Sequence, residues 1–268
     1  MHVLRLVLIG IAIGLAVILG VRATGVQIGS PLALLRREPA PPAPLSPEGA
    51  RAAVDAQMKS AGEYARFFQT VREQFPADYE RMVGAFSERA QKSATPQSAD
   101  VYLAEALRAL RQSHGILASK ASVGMIERVF EHQARIVNTL AQSSPQLCAD
   151  FLYGNAPQGF FQFSAKNRAL IAATAEAGLE AILEGRSLNI DRAPPGDEDF
   201  AALEGELEKK GLGRAEIEAL LDGKTPEPAL SDVAMCKAGV IYYETLRALP
   251  QETRLRIYAL TIKLLARG

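Results

Sequence analysis

The sequence has little of what metal sites and common catalytic centres are made of. Its 268 residues include three histidines and two cysteines, with no H-E-x-x-H and no C-x-x-C arrangement. Zinc sites need such ligands at close spacing, so a zinc enzyme is not indicated. A P-loop, a dinucleotide-binding G-x-G-x-x-G, a G-x-S-x-G elbow and an S-x-x-K motif are also missing. We therefore expect neither a cofactor nor a metal.

An excess of positive charge is missing as well. Lys and Arg together number 30, as do Asp and Glu, and the basic residues form no long run. Nucleic-acid binding depends on a cationic surface that displaces counterions from phosphates. The composition therefore predicts no DNA or RNA partner.

One long apolar run is present, at residues 6–21, between Arg5 and Arg22. Its length lies between that of a signal-peptide core and that of a membrane-spanning helix. The end of this run and the residues after it, 20–24, lack the small-x-small pattern of a cleavage site. We therefore predict an uncleaved single transmembrane helix within residues 1–23, with membrane lipid as its partner.

Small residues recur along this predicted span. Gly10 and Gly14 form a G-x-x-x-G pair, which allows two membrane helices to approach closely. A homodimer through the span is therefore one interpretation. The other is that glycine is simply common in membrane helices, and the sequence leaves both open.

Residues 24–46 are rich in proline, with Pro39, Pro41, Pro42 and Pro44 close together. Proline fixes φ and removes a backbone donor, so this stretch favours an extended polyproline II spacer over a helix or strand. We predict a semi-rigid linker between the membrane and a domain at residues 47–268.

The domain shows helical spacing of apolar residues almost throughout, so the predicted fold class is all-α, a multi-helix bundle-like soluble domain. Ser46 with Pro47, and Ser144 with Pro145, are typical helix starts. We expect a first helix that reaches Phe68, another start at Thr95 and Pro96, an irregular stretch at residues 154–163, and a helix capped by Asp197.

Cys148 and Cys236 are the only cysteines and lie among apolar residues. A sparse, even pair is typical of one disulfide, which persists only in oxidising compartments. We predict this bridge, and with it a domain on the outer side of the inner membrane, in the periplasm. The alternative is two unpaired buried thiols.

An aromatic group made of Tyr153, Phe160, Phe161 and Phe163 falls in or beside the irregular stretch. If exposed, these rings would form an apolar patch that binds a partner. If they turn inward, they would instead plug the helical bundle.

Two functions from different classes remain. The first is a non-enzymatic, membrane-tethered interaction or scaffold module of the bacterial cell envelope, which binds another envelope protein. The Arg-rich, Ala-rich composition is typical of a GC-rich bacterial genome. The second is an envelope enzyme whose site is assembled from dispersed residues, for which Glu105, His114, Glu131 and His132 are the candidates.

Overall fold

The computed structural model describes residues 44–93, 96–154, 158–223 and 225–267. Within these ranges the chain is all-helical and contains no strand, which confirms the predicted fold class. The twelve α-helices of the described residues are α1 (Pro47–Ser60), α2 (Ala65–Gln74), α3 (Pro76–Ser93), α4 (Ala99–His114), α5 (Val123–Ser143), α6 (Pro145–Leu152), α7 (Gln158–Lys166), α8 (Arg168–Leu188), α9 (Asp197–Lys209), α10 (Arg214–Asp222), α11 (Asp232–Ala248) and α12 (Gln251–Leu265).

The predicted membrane span, with Gly10 and Gly14, and nearly all of the Pro-rich linker lie outside the described residues. Among the helices that are described, none combines the length and the apolar character needed to cross a bilayer. The anchor, the spacer and the dimer through the span therefore stay predictions.

Two of the predicted helix starts are confirmed. The Ser46 hydroxyl accepts a hydrogen bond from the Gly49 amide at the start of α1, and the Ser144 hydroxyl does the same for Leu147 in α6. Proline follows each cap, where its missing N–H costs nothing. The start predicted at Thr95 and Pro96 is too early: Thr95 lies outside the described residues, and α4 begins at Ala99 with Ser98 as its cap.

The first helix is shorter than predicted. It ends at Ser60, Ala61 has extended backbone angles, and a 3-10 turn at Gly62–Tyr64 leads into α2. This break lets the Tyr64 hydroxyl donate a 2.7 Å hydrogen bond to Asp100, a buried carboxylate. A tertiary hydrogen bond thus outweighs the helical pattern that continues through these residues.

The stretch predicted to be irregular, residues 154–163, is helical in its described part from Gln158 onward. Helix α7 covers Gln158–Lys166, and Phe160 and Phe163, three residues apart, share its buried face. Two residues made this segment resemble a loop: Pro157, which lies outside the described residues, and Gly159, which lies in the first turn of α7.

At α9 the cap is Gly196, and Asp199 rather than the predicted Asp197 accepts the capping hydrogen bond, from the Gly196 amide at 2.9 Å. Asp199 also receives two hydrogen bonds from Arg256 in α12, at 2.8 and 2.6 Å. The buried carboxylate therefore ties the beginning of α9 to α12.

A second buried carboxylate joins distant parts of the chain. Arg168, at the start of α8, donates to Asp100 in α4 at 3.2 and 2.8 Å, beside the bond from Tyr64. Burial alone would raise the pKa of Asp100, but the hydrogen bonds from Arg168 and Tyr64 lower it overall. The group therefore stays charged, as a paired buried carboxylate must.

The two sulfurs of Cys148 and Cys236 lie 2.00 Å apart, at disulfide distance, as predicted. They join α6 to α11, which pack closely at this point. A Cβ added to Gly239 in α11 would lie 2.3 Å from the Leu152 side chain of α6, so a larger residue there would force Leu152 to move.

The middle of the domain is organised by a 3-10 helix at Gly115–Lys120, named here the 3-10 segment, which packs between α8 and α12. A Cβ added to Gly185 of α8 would lie 1.9 Å from the Leu117 carbonyl oxygen. Arg192, in the loop after α8, donates hydrogen bonds to the carbonyls of Ser119 and Ala121, at the C-terminal end of the segment. The backbones of α8 and the 3-10 segment are therefore in direct contact.

Gly185→Ala is expected to destabilise the domain by about 3 kcal/mol, because the clash is with a backbone atom that cannot rotate away. The matched control is Gly205→Ala in α9, where an added Cβ meets nothing within 4 Å. Helix propensity alone should make that change stabilising by about 1 kcal/mol. Urea unfolding of the two variants measures both effects, and similar stabilities would contradict the close approach.

A pH dependence follows from Asp199. Hydrogen bonds from Arg256, working against burial, lower its pKa from 3.8 to about 2. A folded-state pKa below the unfolded value means that the stabilisation is complete above about pH 5 and is lost as the pH falls through 3.8 towards about 2. The stability difference between wild type and Asp199→Asn should therefore shrink over that range. Urea unfolding of both proteins at each pH from 6 to 2.5 measures this stability difference, and a constant value would rule the contribution of Asp199 out.

Candidate functional site

A cavity of about 80 Å³, partly open to solvent, lies between the helices at the middle of the domain. Its wall is almost wholly apolar and receives residues from α2, α4, the 3-10 segment, α5, α8, α11 and α12. Its apolar lining comprises Phe67, Leu107, Leu110, Ala118, Val129, Phe130, Leu179, Ile182, Ile262 and Leu265. Seven parts of the chain thus enclose one apolar space.

Helical periodicity places these side chains. Val129 and Phe130 lie one turn before Gln133 on the buried face of α5, and Leu179 and Ile182 lie three residues apart on α8. Gly178 also lines the cavity, and a Cβ added there would meet nothing within 4 Å. The space therefore exists partly because α8 has no side chain at this position.

Two residues that line the cavity each carry a buried polar atom. The Gln133 side-chain oxygen and the Tyr243 hydroxyl have no hydrogen-bond partner among the described residues, and both residues line the cavity. Burial raises the pKa of Tyr243, so its hydroxyl keeps its proton and can donate. Buried polar atoms are normally paired, so these two atoms are exceptions.

Two cations complete the lining. Arg108 and Arg111 are three residues apart on α4, so they share one face of the helix. The described residues that line the cavity include neither Asp nor Glu. The apolar space therefore carries positive charge at its wall and no negative charge.

A second, polar cleft of about 460 Å³ adjoins the cavity, because Phe130 and Tyr243 line both. Its charged lining is Glu127, Glu131, Arg135, Arg247 and Arg254. Glu127 and Arg254 form an ion pair across it, between α5 and α12. The cleft is mixed in charge, unlike the cavity.

The chain matches no protein-family model, no curated protein and no solved structure. The function of the site is therefore inferred from its geometry.

The four candidate catalytic residues do not meet in the cavity or in the polar cleft. Glu105 pairs with Arg89, and His114 with Asp78 at 2.9 Å. Of the four, Glu131 alone lines the polar cleft, and none lines the cavity. His132 has a buried ring nitrogen without a partner in the described structure, and burial together with Arg135 lowers its pKa. The described residues also contain no cluster of His, Cys, Asp or Glu able to hold a metal.

The aromatic group does not form an exposed patch. Phe160 and Phe163 are buried in the core, with Phe160 stacked on Phe151, and Phe161 is half-buried. Tyr153 is exposed at 37%. Phe160 and Phe163 therefore face inward, as the second interpretation of this group expects. Of the four rings, Tyr153 is the one that is exposed.

The cavity residues were not anticipated from the sequence. A signal was present in α5, where Gln133 interrupts an otherwise apolar buried face of Ile126, Val129, Phe130 and Ile136. A polar side chain on the buried face of a helix either has a hydrogen-bond partner or lies beside a cavity. Gly178, in the middle of α8, gives no comparable signal of the cavity in the sequence.

Gln133→Leu is expected to raise the free energy of unfolding by about 1 kcal/mol, because it removes a buried polar atom without a partner and keeps a similar volume. Urea unfolding of the full chain measures this. A matched change on the exposed face of α5, Asn138→Leu, should have little effect. A loss of stability in Gln133→Leu would show that the oxygen is paired in solution.

Proposed function

We propose that this chain is a non-enzymatic binding module of the bacterial cell envelope, tethered to the membrane, and that its helical domain takes the apolar part of a small ligand into the cavity. The observation that carries the proposal is the apolar, partly open cavity, two of whose lining residues, Gln133 and Tyr243, carry an unpaired polar atom. Ligand sites have this composition, a mostly apolar lining with a few polar groups that orient the molecule.

The size of the cavity limits what enters it. An engineered apolar cavity of about 150 Å³ holds benzene. This cavity, at about 80 Å³, suits a narrow alkyl chain better than a ring system. Because it is partly open, the rest of a longer molecule can lie outside. An aliphatic chain with a polar end is the class of ligand that we expect.

Keeping the space open costs stability. At about 24 cal/mol per Å³, a cavity of this size costs about 2 kcal/mol. A leucine in place of Gly178 would fill part of it and would also favour the helix. A protein that keeps both the glycine and the space gives up stability there, as binding sites commonly do.

The alternative, an envelope enzyme built from Glu105, His114, Glu131 and His132, has less support. Glu105 forms an ion pair with Arg89 and His114 a hydrogen bond with Asp78, both partners on α3, and neither residue lines the cavity or the cleft. A general acid or base must reach its substrate, so residues engaged elsewhere are poor candidates.

The placement of the module rests on the sequence. An apolar run near the start of the chain, a Pro-rich linker and a cysteine pair at disulfide distance favour a periplasmic domain held at the inner membrane. Binding to another envelope protein and dimerisation through Gly10 and Gly14 belong to the same proposal.

Filling the cavity should abolish binding. The probe is a diazirine-bearing decanol, photolysed with the purified full chain in phosphatidylcholine nanodiscs, and the labelled residues are read by mass spectrometry. In wild type we expect label on α8 and α12 around Leu179, Ile182 and Ile262. Gly178→Leu, and Gly178→Phe as a bulkier second variant, should lower that label at least about tenfold.

Gly205→Leu is the matched control, since Gly205 is also a helical glycine with open space beside it but lies outside the cavity. It should leave the label unchanged. Absence of label at the cavity residues in wild type, or equal label in both leucine variants, would overturn the proposed function.

A further inference from the structure

Three exposed apolar side chains lie close together at one end of the domain. Ile116 belongs to the 3-10 segment, Leu188 ends α8 and Ile190 follows it, with exposed fractions of 41%, 49% and 39%. They are three of the five large apolar residues that are exposed in the described part of the chain. Single exposed apolar residues are ordinary, but a group of them marks a contact surface. These three residues are called the apolar surface below.

Backbone contacts hold the apolar surface together. The Ile190 amide donates a 3.0 Å hydrogen bond to the carbonyl of Lys120, the last residue of the 3-10 segment. Ile116 lies four residues before Lys120, which is about 8 Å at the rise of a 3-10 helix. The end of α12 meets the same place, since a Cβ added to Gly115 would lie 3.1 Å from the Ala266 Cβ. The 3-10 segment, the end of α8 and the end of α12 therefore form one end of the domain.

The charge around the apolar surface is mainly positive. Residues 115–122, 184–192 and 262–267 meet there and together carry five cations and two acids. The cations are Lys120, Arg186, Arg192, Lys263 and Arg267, and the acids are Glu184 and Asp191. Asp78, at the nearby start of α3, is already paired with Arg81. An excess of cations around exposed apolar side chains is complementary to an anionic bilayer surface.

The apolar surface also adjoins the cavity. Gly115 and Ala118 of the 3-10 segment line the cavity, as does Leu265 in the last turn of α12. A ligand with an aliphatic chain, as proposed above, partitions into a bilayer. A domain that lies on the bilayer at this end therefore has its cavity close to the source of that ligand.

The predicted tether permits such a contact. The predicted linker, residues 24–46, reaches roughly 70 Å when extended. A domain of this length has a diameter of about 45 Å. The linker is therefore long enough for the domain to turn any of its faces to the membrane.

We propose that this end of the domain docks on an anionic lipid bilayer. Ile116, Leu188 and Ile190 enter the boundary between head groups and acyl chains, and the surrounding cations lie against the anionic head groups. This inference rests on the proposed function, because the membrane tether keeps the domain beside the bilayer that it contacts.

The chain contains no tryptophan, so one introduced indole is a reporter without background. Ile116→Trp is measured in the purified full chain in nanodiscs of phosphatidylcholine mixed with phosphatidylglycerol, with and without bromine on the acyl chains. Bromine quenches an indole that lies among the lipids, and we expect it to lower the emission to about half or less. The quenching should weaken when phosphatidylglycerol is left out or when salt is added.

Val233→Trp is the matched reporter, because Val233 is also an exposed apolar residue, at 64%, but lies away from the apolar surface. It is one turn before Cys236, whose partner Cys148 has its sulfur 4.0 Å from the Val137 carbonyl oxygen of α5. Val137 lies about 20 Å along α5 from the 3-10 segment. Bromine should therefore leave the emission of Val233→Trp unchanged.

Two further variants, made in the Ile116→Trp background, test which side chains carry the contact. Leu188→Ser/Ile190→Ser should restore the emission in brominated nanodiscs. Tyr153→Ser/Val233→Ser removes two exposed apolar side chains elsewhere and should leave the quenching in place. Leu188→Ser alone is used if the double variant loses its helical circular dichroism.

The docking is overturned if bromine does not change the emission of Ile116→Trp, or if Leu188→Ser/Ile190→Ser is quenched as strongly as its parent. A blue-shifted emission without quenching would place protein on the apolar surface, such as a second copy of this chain, and would also overturn the bilayer as its partner. A chain that does not co-elute with the nanodiscs would overturn the tether, and the docking with it.

The ligand-binding part of the proposed function fails separately. Label at the cavity residues without bromine quenching would leave that part standing and remove the docking. Bromine quenching without cavity label would overturn the proposed ligand binding and leave the docking standing.

Discussion

The structure depends on one close approach between two pieces of backbone. At Gly185 the last turn of α8 meets the Leu117 carbonyl of the 3-10 segment so closely that no side chain fits between them. The same segment packs on α12, and Arg192 holds its end from the other side. Because the segment is short and its buried residues are small, it holds α8 and α12 at a fixed separation.

The cavity is a consequence of that fixed separation. Gly178, two helical turns before Gly185, has no side chain to fill the space that opens between α8, α5 and α12. In a helix bundle free to relax, the walls would close on such a gap and recover the lost contacts. Here the backbone contact at Gly185 and the ion pair between Asp199 and Arg256 each restrain one wall. The void is therefore maintained by rigid neighbours, and a narrow apolar chain is what fits it.

Much of the fold could be predicted from the sequence because its signals are local. The Ser-Pro starts of α1 and α6 and the apolar face of α5 depend on residues within one or two turns of each other. The break at Ala61 could not be predicted, since its cause is a hydrogen bond from Tyr64 to Asp100, far away in the sequence. The extent of α7 was missed because nearby glycine and proline residues resemble a loop. The cavity was missed for a deeper reason, since Gly178 and Gly205 look alike in the sequence and differ only in what lies across from them.

The central claim is that the domain contains an apolar space that a ligand can enter. Xenon enters such spaces and avoids polar, hydrated ones, so crystals of the protein pressurised with xenon test the claim most directly. We predict a xenon peak among Leu179, Ile182 and Ile262, beside Gly178, and no such peak in crystals of Gly178→Leu. A wild-type cavity without xenon, or one filled by ordered water, would contradict the account.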